Sequence, residues 1–399
     1  MNRRSHIKPP GLSVSSHDHP ASIAVVILLG AVAVAGFNIQ PMYLGALADH
    51  LGLSAAQLGL IAGAEVAGSV LAGVVAVFWI RRWSWRRVAV FALLVLVVGN
   101  AASAFVMNYE LLIVIRFLTG FLGVGTNYAL AIAALSATAR TERNFSIAVA
   151  AQVSVAIVGF LLLPSLISES GTPAVFVPLA LIALALIPFV KFLPVGGHNE
   201  SVVSREPETK TPQLIWFALG CQCVWFLGIG GVWAFVERIG TNAGISAGEI
   251  GDALALGMAV GLLGAFFAAA LADRFGRVMP FAVAMLGQVL AVWWLVGLED
   301  LSGLVIAICL YNGTWNFALP YLFAMAAIAD SRGQLVVLMS TAQGVGLTFG
   351  ATVAGAVIGR WGLLAVLWQG AGAALAALLI FVMLARRLRG VTVSSAEGS

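Results

Sequence analysis

Glu65 and Arg116 are the residues of this sequence best placed for proton chemistry, because each lies inside a long apolar run. Inserting an ionisable side chain at membrane depth costs about 2.5–3.5 kcal/mol, so one found there is expected to work or to have a partner. Apolar surroundings raise the proton affinity of a carboxyl group, and a nearby guanidinium lowers it. If conformation shifts that balance, the pair Glu65 and Arg116 couples proton flow to another movement. A permanent ion pair that only neutralises two buried charges is the competing reading. Arg116 could instead bind an anionic solute directly, its planar fork matching a carboxylate.

The elements that hold these residues follow from composition. Of 399 residues, 61% are hydrophobic and only 10% charged, against about 25% charged in soluble chains. About 20 apolar residues cross a bilayer, so twelve spans use about 240 residues and leave short loops. Apolar windows bounded by charges or turn residues fall near 21–48, 56–80, 87–107, 110–137, 144–167 and 173–194, then 214–237, 249–271, 278–298, 302–328, 333–359 and 363–385. The pattern predicts an all-α polytopic membrane protein: a tail (1–20), a six-helix bundle (21–195), a polar linker (196–213), a second six-helix bundle (214–387) and a tail (388–399).

Eighteen Lys and Arg fall on one side of these spans and two, Arg238 and Arg360, on the other. By the positive-inside rule both termini and the linker are cytoplasmic, and the net charge of +4 orients the chain rather than attracting nucleic acid. Counted from the outer ends of spans 2 and 4, Glu65 and Arg116 differ in depth by roughly 4–5 Å, within reach of an arginine side chain.

The two bundles are related by an internal repeat. GLSAAQLG (52–59) matches GISAGEIG (244–251), NYAL (127–130) matches NFAL (316–319), and the Ala-Gln pairs at 151 and 342 correspond at nearly the same offset. The first span is therefore expected to be retained, although Arg3 and Arg4 before an apolar run look like a signal peptide. Repeats of this kind place a site near the midplane, at the interface of the halves.

With two six-helix repeats and a cytoplasmic linker, the chain resembles the major facilitator superfamily. The loop ALADRFGR (270–277) is close to that family's G-x-L-A-D-R-x-G-R, with Ala269 in place of the first Gly. The resemblance implies a cytoplasmic gate of Asp273, Arg274, Gly276 and Arg277. The matching loop of the first half, FWIRRWSWRR (78–87), has Arg81 where the pattern has Asp, so its arginines read as topology anchors or lipid-phosphate contacts. Span 4 resembles the family's Arg-then-Gly helix: Arg116, Gly120, Gly123 and Asn127 are spaced to share one helical face. Span 5 lacks the Gly-Pro-x-x-Gly-Gly signature of drug/proton antiporters.

The resemblance places spans 1, 4, 7 and 10 around a central cavity. Candidate solute contacts there are Asn38, Gln40 and Tyr43, Arg116 and Asn127, Gln222 and Trp225, and Tyr311, Asn312, Trp315 and Asn316. Pro41 could break span 1 and free backbone acceptors. Asn127 and Asn316, equivalent in the repeat, contact the solute or hydrogen-bond between helices. Such a lining suits a small aromatic or amphipathic organic molecule.

No phosphate-loop motif occurs, and no histidine lies deep in a span, which argues against ATP use and against enzymatic chemistry. The expected protein is a secondary transporter of the inner (plasma) membrane, driven by the proton gradient without a cofactor, with uptake favoured over efflux. Its expected partners are a small organic solute, protons and lipid, with no nucleic acid and no obligate oligomer. The alternatives are a proton-driven efflux antiporter and a non-transporting substrate sensor.

Overall fold

The computed structural model describes residues 18–194, 196, 212–272, 274–329 and 334–397. Within them are twelve helices long and apolar enough to cross a membrane. The first half holds α1 (Pro20–Asn38), α2 (Ala55–Trp79), α3 (Trp85–Phe105), α4 (Tyr109–Ser136), α5 (Thr141–Ser170) and α6 (Pro173–Phe192). The second holds α7 (Leu214–Asn242), α8 (Ala247–Leu271), α9 (Val278–Val296), α10 (Leu301–Ile328), α11 (Leu338–Trp361) and α12 (Leu364–Leu388). The last helix extends beyond its apolar part to Glu397, through most of the residues read from sequence as a tail.

The repeat seen in the sequence is a structural repeat at the helix starts. Ser54 and Gln57 form a reciprocal capping box at the start of α2, and Ser246 and Glu249 form its counterpart at the start of α8. Each box satisfies two backbone N–H groups that a helix start leaves without partners.

Departures from regular helix geometry in α1, α5 and α4 matter to the site. After α1 the helix breaks at Ile39 (φ −98°, ψ 13°) and resumes as Gln40–Leu51. Pro41 has no N–H, so the carbonyl of Phe37 loses its ordinary helical donor. Trp233 of α7 donates its Nε1–H to that carbonyl at 3.3 Å, across the two halves. Pro164 plays a similar part in α5: Gly251 of α8 lies so close to the Phe160 carbonyl that a side chain there would strike it. In α4, residues Thr119–Gly125 form a π-helical turn.

The halves join on the side away from most of the arginines. There the apolar core of the second half merges with the Leu44, Leu58, Phe160 and Phe176 region of the first. On the arginine-rich side the first half keeps a separate core around Leu29, Trp85, Leu93 and Leu130. Glycines set the closest approaches: Gly59 and Gly63 of α2 fit against Ala351, Thr348, Thr352 and Gly355 of α11. With no Cβ between them, the two backbones come close enough for van der Waals packing, which drives helix association in lipid.

Candidate functional site

Arg116 and Glu65 form an ion pair between α4 and α2, with the residues only 1% and 3% exposed. Two charges so fully withdrawn from water need further hydrogen bonds to offset desolvation, and both have them. Arg116 Nη1 donates to Asn100 Oδ1 at 2.9 Å and to Ser103 Oγ at 3.4 Å, both from α3. Tyr43 donates its hydroxyl to Glu65 Oε2 at 3.1 Å, and Gln40 Nε2 donates to that hydroxyl at 3.4 Å. The guanidinium carbon stands 5.1 Å from the centre of the Phe176 ring and 6.0 Å from that of Tyr43, in cation–π range. Gly36 leaves room for the cluster, since a Cβ there would lie 3.3 Å from Glu65 Oε1.

The π turn brings α4 onto this cluster. A side chain at Gly120 would strike the Glu65 carbonyl, and Ser69 Oγ donates to the carbonyls of Glu65 and Gly120 at 3.2 and 3.3 Å. The wider π turn rotates the residues beyond it about the helix axis, so the single face expected for Arg116, Gly120, Gly123 and Asn127 is not kept. Gly120 faces α2, whereas Gly123 meets Leu96 of α3. Asn127 is fully buried, and neither of its side-chain polar atoms has a protein partner.

Several expected solute contacts are buried among protein partners. Arg116, Tyr43 and Gln40 are buried in the charge cluster, where Glu65, Asn100 and Ser103 occupy the two terminal nitrogens of Arg116. Trp225 turns into the second half: it donates to Gln288 Oε1 at 2.8 Å and packs edge-on to Phe281, centroids 5.6 Å apart. Tyr311 and Asn312 are buried against a small void inside the second half, bounded also by Trp233, Leu254 and Leu295. Asn312 Nδ2 donates to the Ile308 carbonyl one turn back, and Asn316 Nδ2 to that of Asn312, at 3.1 and 3.0 Å. Such bonds within one helix do not join neighbouring helices.

The remaining candidates point to a set of amides. Asn38 Nδ2 donates to the Gln152 carbonyl of α5 at 3.4 Å, and Gln222 Nε2 donates to Gln343 Oε1 of α11 at 3.1 Å. Gln152 and Gln343 are half-buried repeat equivalents, the glutamines of the two Ala-Gln pairs. In the sequence alone those pairs stand out only as repeat markers. Trp315 is half-buried and stands edge-on to Phe226 and Trp233, at 5.9 and 6.3 Å.

Glu237 and Arg238 form a lock between the halves. Arg238 binds Asp49 with two bonds of 2.7 and 3.0 Å and holds Glu237 through Nε at 2.7 Å. Glu237 is 4% exposed, accepts from Thr241 Oγ1 at 2.9 Å, and fits into the space left by Gly45. Gln40–Leu51 thus carries Tyr43, which meets Glu65, together with Gly45 and Asp49, which meet α7. One short helix touches both the buried ion pair and the lock between the halves.

At the loop after α8, Asp273 lies outside the described residues. Arg274 is exposed, and the turn is made by positive φ at Ala272 (43°) and Gly276 (64°). Among the described residues no group of His, Cys, Asp or Glu is arranged to hold a metal.

The Major Facilitator Superfamily model matches residues 26–220. The fold is similar to that of a mutant of the nucleoside transporter NupG, at TM-score 0.74 and 12% identity over 91% of this chain and 99% of that one. A D-xylose-proton symporter is similar at TM-score 0.74 and 14% identity, covering 90% and 96%. The human organic anion transporter MFSD10 (TETRAN) is similar at TM-score 0.63 and 17% identity, covering 90% and 98%. No curated protein matches the chain in sequence.

Proposed function

We propose that this chain, whose residues 26–220 match the Major Facilitator Superfamily model, is a membrane transporter that couples the uptake of a small organic solute to proton entry, with Glu65 as the proton site. The observation that carries this reading is the position of Glu65. It is a carboxylate 3% exposed inside a span, and its hydroxyl partner Tyr43 rides on the helix that closes the halves. Proton transfer to Glu65 would cancel its attraction to Arg116 and change what Tyr43 hydrogen-bonds to. The pull on Gln40–Leu51, and through it on Asp49, Arg238 and Glu237, would then differ between the two protonation states. A group whose proton affinity depends on conformation can drive such a cycle, because proton binding and conformational change are linked.

The solute site we assign to the amides Asn38, Asn127, Gln152, Gln222, Gln343 and Asn316, with Trp315 as the aromatic face. Buried polar atoms without protein partners, at Asn127 and at Gln222 Oε1, favour a ligand rich in hydrogen-bonding groups. A neutral polyol or a nucleoside-like heterocycle fits that chemistry better than an organic anion, since Arg116 is already committed. Two of the three similar structures are named for solutes of this kind, a nucleoside and D-xylose, and the third for an organic anion. Placing the arginine-rich side in the cytoplasm of a cell with a plasma membrane makes the observed closure an outer one. The loop motif after α8 would then gate the inner side.

The test is uptake into proteoliposomes, with pentoses, hexoses, nucleosides and aromatic carboxylates as solutes, with and without an inward-acid pH gradient. Accumulation of a neutral solute that needs the gradient is expected. Glu65→Gln should abolish accumulation while leaving solute exchange intact. Accumulation by Glu65→Gln equal to the parent's would overturn the proton assignment, and binding without flux for every solute would turn the reading to a sensor.

A further inference from the structure

A groove of about 540 Å³ opens on the outer flank of the first half, between α2, α3 and α4, and belongs to neither the charge cluster nor the amides. Its mouth holds Arg82 and Arg87, at the turn from α2 to α3 on the arginine-rich side. Its walls are aromatic, including Trp83, Phe91 and Phe121. Trp83 and Phe91 are 61% and 52% exposed, and Trp83 stacks on the buried Trp79 at 6.3 Å between centroids. The arginines of this loop are not equivalent. Arg86 is fixed by donating from Nε to the Leu193 carbonyl at 2.7 Å, whereas no hydrogen bond or ion pair within the described structure holds the side chain of Arg82 or of Arg87.

We propose that this groove is a binding site for an anionic phospholipid, the phosphate held by Arg82 and Arg87 and an acyl chain lying against Trp83, Phe91 and Phe121. The charge is complementary, and the guanidinium forks suit phosphate oxygens. Basic residues next to a bilayer surface attract anionic headgroups, and tryptophan favours the same depth. A free anion would use only the arginines and leave the apolar wall unexplained. A lipid uses both ends of the groove at their natural heights in the membrane.

The site also bears on transport. Phe121 and Leu122, in the groove wall, belong to the π turn whose Gly120 rests on the Glu65 carbonyl. Thr126, also in the wall, donates its hydroxyl to the Phe121 carbonyl at 3.0 Å and so ties the end of that turn to the groove. A lipid seated there packs against the π turn and so braces α4 on α2.

The test is native mass spectrometry and thermal unfolding of the purified full chain with phosphatidylglycerol, phosphatidylcholine or inorganic phosphate. The unmodified protein is expected to retain phosphatidylglycerol and to gain stability from it, with little from phosphatidylcholine and none from phosphate. Arg82→Gln/Arg87→Gln should weaken phosphatidylglycerol retention by about tenfold or more, given two arginines near an anionic surface. Arg140→Gln/Arg143→Gln, basic residues outside the groove, should leave it unchanged. Equal retention by both double variants would overturn the site, and so would equal retention of the two lipids by the unmodified protein, a result that does not depend on any variant folding. Stabilisation by inorganic phosphate equal to that by phosphatidylglycerol would overturn the lipid as occupant.

Discussion

Arg116→Gln removes the guanidinium and leaves Glu65 at 3% exposure with Tyr43 as its remaining side-chain donor. Removing one partner of a buried ion pair costs about 3–5 kcal/mol, because the other charge stays out of water without compensation. At about 2–4 °C per kcal/mol for a unit the size of one half, the unfolding midpoint should fall by roughly 6–20 °C. Glu65→Gln/Arg116→Gln removes both charges and keeps groups able to reach Tyr43, Asn100 and Ser103, so its loss should shrink to about 1–2 kcal/mol. The interaction term of the double-mutant cycle should therefore exceed about 2 kcal/mol. Thermal and denaturant unfolding in one detergent measures all four proteins. A cost below about 1 kcal/mol for Arg116→Gln, or a double variant whose loss equals the sum of the singles, would refute the argument that burial makes the two charges interdependent. The same double variant separates structure from coupling: stable yet unable to use a pH gradient is the expected outcome, and full gradient-driven accumulation would leave Glu65 a structural residue.

Trp225→Phe should cost about 1–3 kcal/mol by leaving Gln288 buried without its donor, and should leave the KM for solute unchanged, as checked by paired unfolding and uptake measurements. Gly45→Val places atoms where the Glu237 carboxylate sits, so thiol labelling of a cysteine introduced at the neighbouring Ala48 should become faster as the outer contact loosens. Gln343→Ala removes the partner of Gln222 Nε2 and should raise KM severalfold with a stability loss of about 1 kcal/mol or less; an unchanged KM would remove the α11 amide from the solute site.

The features legible in the sequence are those that depend on spacing and on chain-wide composition. Twelve apolar windows and the break near Pro41 follow from local rules, and the structure places them close to where those rules put them. The pairing of Glu65 with Arg116 was also accessible, because two buried charges of opposite sign at similar depth have few other ways to be accommodated. The solute set was less legible, for a geometric reason. Shared helical spacing groups Gln222, Trp225 and Trp233, yet each finds a different neighbour: Gln343 on α11, Gln288 on α9, and the Phe37 carbonyl on α1. A helix packed on several sides buries more than one face, so periodicity alone does not say which neighbour a side chain meets. The π turn in α4 adds a second obstacle, since nothing in the order of Gly120, Gly123 and Gly125 separates it from a small-residue packing face. It nevertheless decides the arrangement, setting Gly120 on the Glu65 backbone and putting Phe121 in the wall of the outer groove. The buried ion pair, the helix Gln40–Leu51 and the outer groove are therefore joined through α2 and α4, by contacts that exist only once three-dimensional packing has been set.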